Sequence, residues 1–227
     1  MNTAIIVAAG KGTRFREAKK RKQFLEVLGK PLVVHTLQRF EDCSAVNEMI
    51  LVLPEKEIEN FLQIAEKFGL KKLTKIVSGG ETRPASVLKG LNAVESNKAE
   101  IVAVHDGARP LVSNDEIINT INKAKQTGAA CLVASVTDTI KEVSGETIVR
   151  TVDRAKLRRA LTPQAFRYEI LKRAFTENDF DEKATDECFL VEKLGVEISV
   201  VEGSARNIKI TNKEDLILAE NLLKDFR

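Results

Sequence analysis

The sequence predicts an α/β fold, a mostly parallel sheet with helices on both faces, and three observations carry that expectation. Short apolar runs rich in β-branched residues alternate with helix-period segments along most of the 227 residues. Several of those runs end in turns of Gly, Ala and Ser, as at Gly10, Gly80 and Gly107. A hydrophobic content of 43% with 30% charged residues describes a globule long enough to bury a full core. One domain over 1–227 is expected, with residues 138–163 inserted as a β-arm.

In chain order, Ala4, Ile5, Ile6 and Val7 form a strand suited to burial on both faces, and Ala8, Ala9, Gly10 and Gly12 follow as a turn that lets backbone approach a ligand. Such a turn presents successive N–H groups to an anion, a phosphate above all. Arg14 and the run Lys19, Lys20, Arg21, Lys22 add positive charge. No Walker loop is present, and the dinucleotide fingerprint fails because Phe15 stands where the third glycine belongs. Taken alone, the turn reads equally as a tight βα connection and the basic run as a solvated face.

Residues 32–40 predict a helix, 49–53 a strand stopped by Pro54, and 55–68 a helix with Ile58, Leu62 and Ala65 on one face and Gly69 closing it. Ile76 and Val77 make a short strand ending in Ser78, Gly79, Gly80, and Pro84 suits the first turn of the helix that follows. Residues 101–104 form a strand running into His105, Asp106, Gly107, Ala108, Arg109 and Pro110. Ser113 and Glu116 make a capping box for a helix reaching Thr127, and residues 130–136 are the next strand. This alternation implies βαβ units and a Rossmann-like sheet, with ligands expected outside the carboxyl ends of the strands. The loops at Gly10, Gly80 and Asp106 all fall at such ends.

The alternation lapses at residues 138–163, where the pattern is a hairpin about Ser144 and Gly145. A two-stranded ribbon is marginal alone, so it needs a partner surface, and a dimerisation arm is the expectation. The chain returns through residues 161–164. Helices are expected over 168–178 and 185–193, with Gly195 capping the second, then a strand over 198–201 and an extended piece over 207–210. Thr211 and Glu214 box a final helix with Leu216, Ala219, Leu223 and Phe226 on one face.

Lys plus Arg at 36 against Asp plus Glu at 33 leave a charge of +3, which excludes a general polyanion binder but not a local basic site. Cys43, Cys131 and Cys188 are widely spaced without CxxC pairing, so neither a disulfide framework nor a zinc site is expected, and a reducing cytoplasm is the simplest location. The chain opens directly into a strand, and no apolar run approaches membrane-spanning length.

Nine segments in order give the chain a family resemblance: AAGKGTR at 8–14, KQF at 22–24, GGETRPASV at 79–87, HDGARP at 105–110, DT at 138–139, TVDR at 151–154, LTPQAF at 161–166, TDE at 185–187 and NIKIT at 207–211. Together they resemble the 2-C-methyl-D-erythritol 4-phosphate cytidylyltransferases of non-mevalonate isoprenoid synthesis. The resemblance implies a single nucleotidyltransferase domain that joins CTP to 2-C-methyl-D-erythritol 4-phosphate with release of diphosphate, aided by a divalent cation, normally Mg²⁺, for which Asp106 is the candidate carboxylate. It also implies that Arg14 and Lys22 stabilise charge on the α-phosphate, and that Lys209 with Arg154 positions the polyol phosphate beside Arg109, Thr139 and Thr162. Ala8, Ala9, Gly10, Gly12, Gly80, Ser86 and Asp106 fall to the nucleotide. The implied state is a homodimer through the 138–163 arm, without nucleic acid or membrane. Arg21 stands where family members carry Pro, and the segment from Arg14 to Lys22 is one residue longer.

Two other readings stay open. A cytidylyltransferase for ribitol 5-phosphate would share the fold and CTP site, and TVDR favours the first assignment. A non-catalytic nucleotide or RNA-binding module would use Lys19–Lys22, against which stand 5% aromatic residues and near-neutral charge. His105 and Asp106 alone could be a strand-end pair, and no Gly-x-Ser-x-Gly elbow accompanies them.

Overall fold

The structure is a computed structural model that describes residues 1–10, 22–178 and 185–225. Strand β1 (Asn2–Val7) leads through a short hairpin, β2 (Glu26–Val27) and β3 (Lys30–Pro31), into helix α1 (Leu32–Glu41). There follow β4 (Glu48–Leu53), α2 (Ile58–Lys67), β5 (Leu73–Ser78), α3 (Arg83–Asn92), β6 (Ile101–Asp106), α4 (Asn114–Thr127) and β7 (Ala129–Ser135). The second half holds β8 (Ile140–Ser144), β9 (Thr147–Val152), β10 (Arg158–Arg167), α5 (Tyr168–Glu177), α6 (Glu187–Glu192), β11 (Ser199–Glu202) and α7 (Lys213–Lys224).

Seven strands form one sheet in the order β11-β7-β10-β6-β1-β4-β5. The pairs β1 with β4, β1 with β6, β4 with β5 and β11 with β7 are parallel, and β10 runs antiparallel to both β6 and β7. The chain winds outward from β1 to β5, then crosses back to lay β6 on the other side of β1. That reversal opens a crevice beyond the carboxyl ends of β1 and β6, the place where such sheets bind ligands.

Alternation along the buried strands assigns the two faces. Ala4 and Ile6 of β1 pack with Val33, Leu37 and Phe40 of α1, Phe61 of α2 and Ile117 and Ile121 of α4. Ile5, between them, packs with Val87 and Leu91 of α3, Leu171 and Phe175 of α5 and Leu190 of α6. A third cluster joins Val27, Leu32, Ala108 and Leu111 to Ile210, Ala219 and Leu223, so α7 seals the flank beside the turn after β6.

Most expected elements form, and the departures have local causes. The return segment, expected as a connection, is the ten-residue central strand β10, buried from Leu161 to Phe166. Pro163 cannot donate to a ladder, and the structure places it in the irregular stretch between Ala160 and Gln164. The final helix is boxed by Asn212 and Asp215, not by Thr211 and Glu214, because Asn212 Oδ1 accepts the Asp215 N–H at 2.7 Å and the Asp215 carboxylate accepts the Asn212 N–H at 3.0 Å. Its Ala219 and Leu223 are buried, while Phe226 lies outside the described residues. In α2 the buried residue is Phe61, and Leu62 turns outward at 56% exposure. The helix expected over 185–193 is Glu187–Glu192, with Asp186 as its cap. The box of Ser113 with Glu116 forms as expected.

The ribbon β8–β9 forms as an isolated antiparallel pair, with Gly145 at φ +57 in its turn. Val143, Ile148 and Val149 are 62%, 59% and 57% exposed, apolar side chains that nothing in the protomer's described residues covers. No helix is long and apolar enough to cross a membrane among the described residues.

Candidate active site

Three strand ends converge because small residues let their loops touch. A Cβ on Gly79, just past β5, would sit 2.2 Å from Ala9 Cβ, and one on Gly107, just past β6, 2.8 Å from Ala8 Cβ. Side chains at either position would drive the loops apart. Gln23, buried in the turn Lys22–Phe24, donates to the Ala8 carbonyl at 2.7 Å and fixes the first loop. In the second loop the Ser86 hydroxyl accepts the Gly80 N–H at 3.1 Å and donates to the Thr82 carbonyl at 2.9 Å. Thr36 of α1 donates to the Gly107 carbonyl at 3.0 Å and pins the third.

Asp106, at the end of β6, gathers the charge. Its Oδ1 accepts from Arg83 Nε at 3.2 Å, and its Oδ2 lies 2.9 Å from Lys209 Nζ and 3.3 Å from Arg109 Nε. Burial pushes this carboxyl up, but Arg83, Lys209 and Arg109 outweigh it and hold the group well below the usual carboxylate range. Arg109 also donates to the Asn207 carbonyl at 2.7 Å, and Ile210 N–H donates to the Ala108 carbonyl at 2.9 Å, so the segment carrying Lys209 is laced to the turn after β6. On the far side, Arg83 makes a fork onto Glu187 at 2.7 and 3.1 Å. Burial pushes the Glu187 carboxyl above the usual carboxylate range, and the guanidinium fork of Arg83 opposes that rise.

Behind this cluster runs a neutral chain. The Asp106 N–H donates to Thr162 Oγ1 at 3.2 Å, and Thr162 Oγ1 lies 3.0 Å from His105 Nδ1. His105 Nε2 lies 3.1 Å from the Arg109 carbonyl, which can only accept. The tautomer follows: Nε2 carries the proton, and Thr162 donates to Nδ1. Burial lowers His105 to about 4 and keeps it neutral, as this chain requires. Asn207 Nδ2 donates to the Thr162 carbonyl at 3.0 Å, closing the ring of contacts.

The structure therefore brings together Asp106, Arg109, Thr162 and Lys209, and beside them the loops of Ala8, Ala9, Gly10, Gly80 and Ser86. Thr162 bonds Asp106 and His105 through its hydroxyl and so supports the cluster within the protomer. Thr139 and Arg154 are exposed on the arm and its base, and Arg154 donates to the Thr137 carbonyl. Gly12, Arg14 and the side chain of Lys22 lie outside the described residues. Arg83, Glu187 and Gln23 went unassigned in sequence although each stands inside a quoted motif, at GGETRPASV, TDE and KQF.

With Glu187 held by Arg83, a divalent cation would find the Asp106 carboxylate here, and no group of three His, Cys, Asp or Glu that could hold a metal ion is present among the described residues. This donor set makes no dedicated metal cage. It fits a hard cation carried on phosphate oxygens, to which Asp106 would add one ligand.

The family model described as 2-C-methyl-D-erythritol 4-phosphate cytidylyltransferase matches residues 2–225. An enzyme of that name from Alkaliphilus metalliredigens is 44% identical over 224 residues, covering 97% of this chain and 92% of the relative. One from Bacillus velezensis is 41% identical over 222 residues, covering 97% and 94%. Among solved structures, the 4-diphosphocytidyl-2C-methyl-D-erythritol synthase of Anaerococcus prevotii superposes with a TM-score of 0.85 at 30% identity, covering 98% of this chain and 96% of its own.

The buried histidine sets a pH dependence. Because the folded value of about 4 lies below the ordinary 6.5, the unfolded chain takes up the proton first as pH falls, so stability is lost from about pH 6.5 downward. Burial lowers His35 too and adds a slope of the same sign. Urea unfolding of wild-type and His105→Gln proteins should show the variant losing about 2 kcal/mol less than wild type between about pH 6.5 and 4.5. Equal losses in the two proteins would contradict the buried neutral imidazole.

Proposed function

The chain belongs to the 2-C-methyl-D-erythritol 4-phosphate cytidylyltransferase family, and from that membership we propose how its residues carry out the reaction. CTP and 2-C-methyl-D-erythritol 4-phosphate give 4-diphosphocytidyl-2-C-methyl-D-erythritol and diphosphate. An ionised phosphate oxygen of the polyol phosphate attacks the α-phosphorus of CTP in line. One P–O bond forms, the bond to the β-phosphate oxygen breaks, and diphosphate carries the electron pair away. No general base is needed, so catalysis reduces to positioning and charge neutralisation.

The observation that carries this reading is the gathering of Arg109 and Lys209 about Asp106 at the crevice between β1 and β6. Lys209 keeps 37% of its side chain exposed and can turn an ammonium hydrogen to an incoming phosphate. The backbone of Ala8, Ala9, Gly10 and Gly12, with Gly80 and Ser86, would take the cytidine half. Arg14 and Lys22 would meet the α-phosphate, as the family resemblance implies. Mg²⁺, when bound, would neutralise charge on the nucleotide's phosphates. Three buried free cysteines support a reducing, cytoplasmic setting.

The arm completes the proposal. A ribbon with three exposed apolar side chains needs a covering surface, and a second copy of the chain supplies one by two-fold symmetry. Arg154 and Thr139, exposed on the arm and its base, would then serve the neighbour's polyol phosphate.

Two experiments test this account. Incubated with CTP and Mg²⁺, the protein should release diphosphate with methylerythritol phosphate, much less with ribitol 5-phosphate, and none in excess EDTA. Turnover only with ribitol 5-phosphate would move the assignment to the sister activity, and full activity in EDTA would remove the metal. Salt-sensitive RNA binding without turnover would remove the reaction itself. In the second experiment, Lys22→Ala and Arg154→Ala proteins, each expected to lose roughly 10²-fold in turnover, are unfolded together and refolded as a mixture. Random pairing returns about a quarter of wild-type activity, since one site of each mixed dimer is intact. No recovery in a mixture shown to contain mixed dimers would refute the shared site.

A further inference from the structure

Arg83 and Glu187 stand in two of the quoted motifs, yet the reaction as assigned gives them nothing to do. Their geometry is specific. Glu187, the first residue of α6, has 1% of its side chain exposed, and both its oxygens are held by the two terminal nitrogens of Arg83 at 2.7 and 3.1 Å. Arg83, the first residue of α3, therefore spends its fork on Glu187 and offers Asp106 only its Nε edge, 3.2 Å from Oδ1. That leaves Oδ2 to Lys209 and Arg109. A guanidinium without the Glu187 partner would favour the two-point grip that it makes on carboxylates, and the nearest such group is Asp106.

Glu187 is itself held in place from two sides. Asp186 caps α6 by accepting the Phe189 N–H at 3.0 Å and also accepts Gln164 Nε2 at 2.9 Å. Gln164 Oε1 accepts the Cys188 N–H at 3.1 Å. Gln164 belongs to β10, which is laddered to β6, the strand that carries Asp106. The start of α6 is thus fastened to the sheet on both sides of Glu187, the kind of rigid backing that a positioning group needs.

We infer that Glu187 is a positioning residue for the reaction: by occupying the fork of Arg83 it divides the Asp106 carboxylate, one oxygen to Arg83 and the other to Lys209 and Arg109, and so sets the spacing of the two cations that receive the polyol phosphate. The inference rests on the assigned reaction. It gives TDE and the Arg of GGETRPASV one joint task, and it gives α6 a part in substrate recognition without contact with substrate.

The test separates this task from a purely structural salt bridge. Glu187→Gln keeps the side-chain volume and removes the charge, and the double variant Arg83→Met with Glu187→Met replaces the buried pair by apolar side chains of similar length, a change that often preserves stability. Melting temperature, kcat, and KM for each substrate are measured beside wild type. Both variants should lose about tenfold or more in kcat/KM for methylerythritol phosphate, while KM for CTP stays within about twofold, and the double variant should do so at a melting temperature close to wild type. A double variant that regains wild-type efficiency, or a folded Glu187→Gln protein that never loses it, overturns the inference. Wild-type turnover measured alongside keeps the two levels apart: absent turnover removes the assigned reaction and this role with it, whereas normal turnover with undiminished variants removes the role alone.

Discussion

A carboxylate buried at the end of a parallel strand cannot stand alone, and most of the site follows from what Asp106 requires. Moving an ion out of water costs several kcal/mol unless opposite charges and hydrogen bonds replace the hydration. Asp106 draws those partners from its own turn, which supplies Arg109, and from two distant segments, Arg83 at the start of α3 and Lys209 before α7. Chain segments far apart in sequence are thereby fixed to one point. Among these residues Arg83, Arg109 and Lys209 gather about Asp106, and Arg83 also holds Glu187. A phosphate entering there meets donors already in place, which is what electrostatic preorganisation means.

The fold holds that point steady from behind. Antiparallel β10 lies against β6, and its irregular stretch around Pro163 places Thr162 where its hydroxyl can accept from Asp106 and donate to His105. An unbroken ladder would present Thr162 differently. The small residues at Gly79 and Gly107 let the three loops close on one another, so the cation cluster and the backbone turn after β1 share one crevice. Stability and function meet in the same contacts: Asn207 braces the Thr162 carbonyl and offers its own carbonyl to Arg109.

Much of this was legible in the sequence. Strands β1, β4 and β6 are continuous apolar runs, and their loops fall at carboxyl ends because the alternation forces parallel pairing. Ser113 with Glu116 announced its helix. Strand β10 was not legible, since Arg158, Arg159, Pro163 and Gln164 break the pattern of a buried strand and only tertiary pairing makes it one. The box on α7 was misplaced by one residue because Thr211, Asn212, Glu214 and Asp215 offer two overlapping pairs. Within the site, Asp106, Arg109 and Lys209 were found through their motifs. The bond of Arg83 to Glu187 was not, because an ion pair spanning 104 residues leaves no local spacing to read. The ribbon's turn was visible, and what covers its apolar side chains depends on a surface that one chain's pattern does not describe.

The central claim is that Asp106 sets the position of Lys209, and a double-mutant cycle measures that directly. Asp106→Asn, Lys209→Met and the double variant are compared with wild type by kcat/KM for methylerythritol phosphate. If the carboxylate positions the ammonium, Lys209→Met costs about tenfold or more in the wild-type background but less than about threefold once Asp106 is gone, a coupling of the size seen for residues in direct contact. The same factor in both backgrounds would show that the two act independently, and the account of the site as one preassembled cluster would fail.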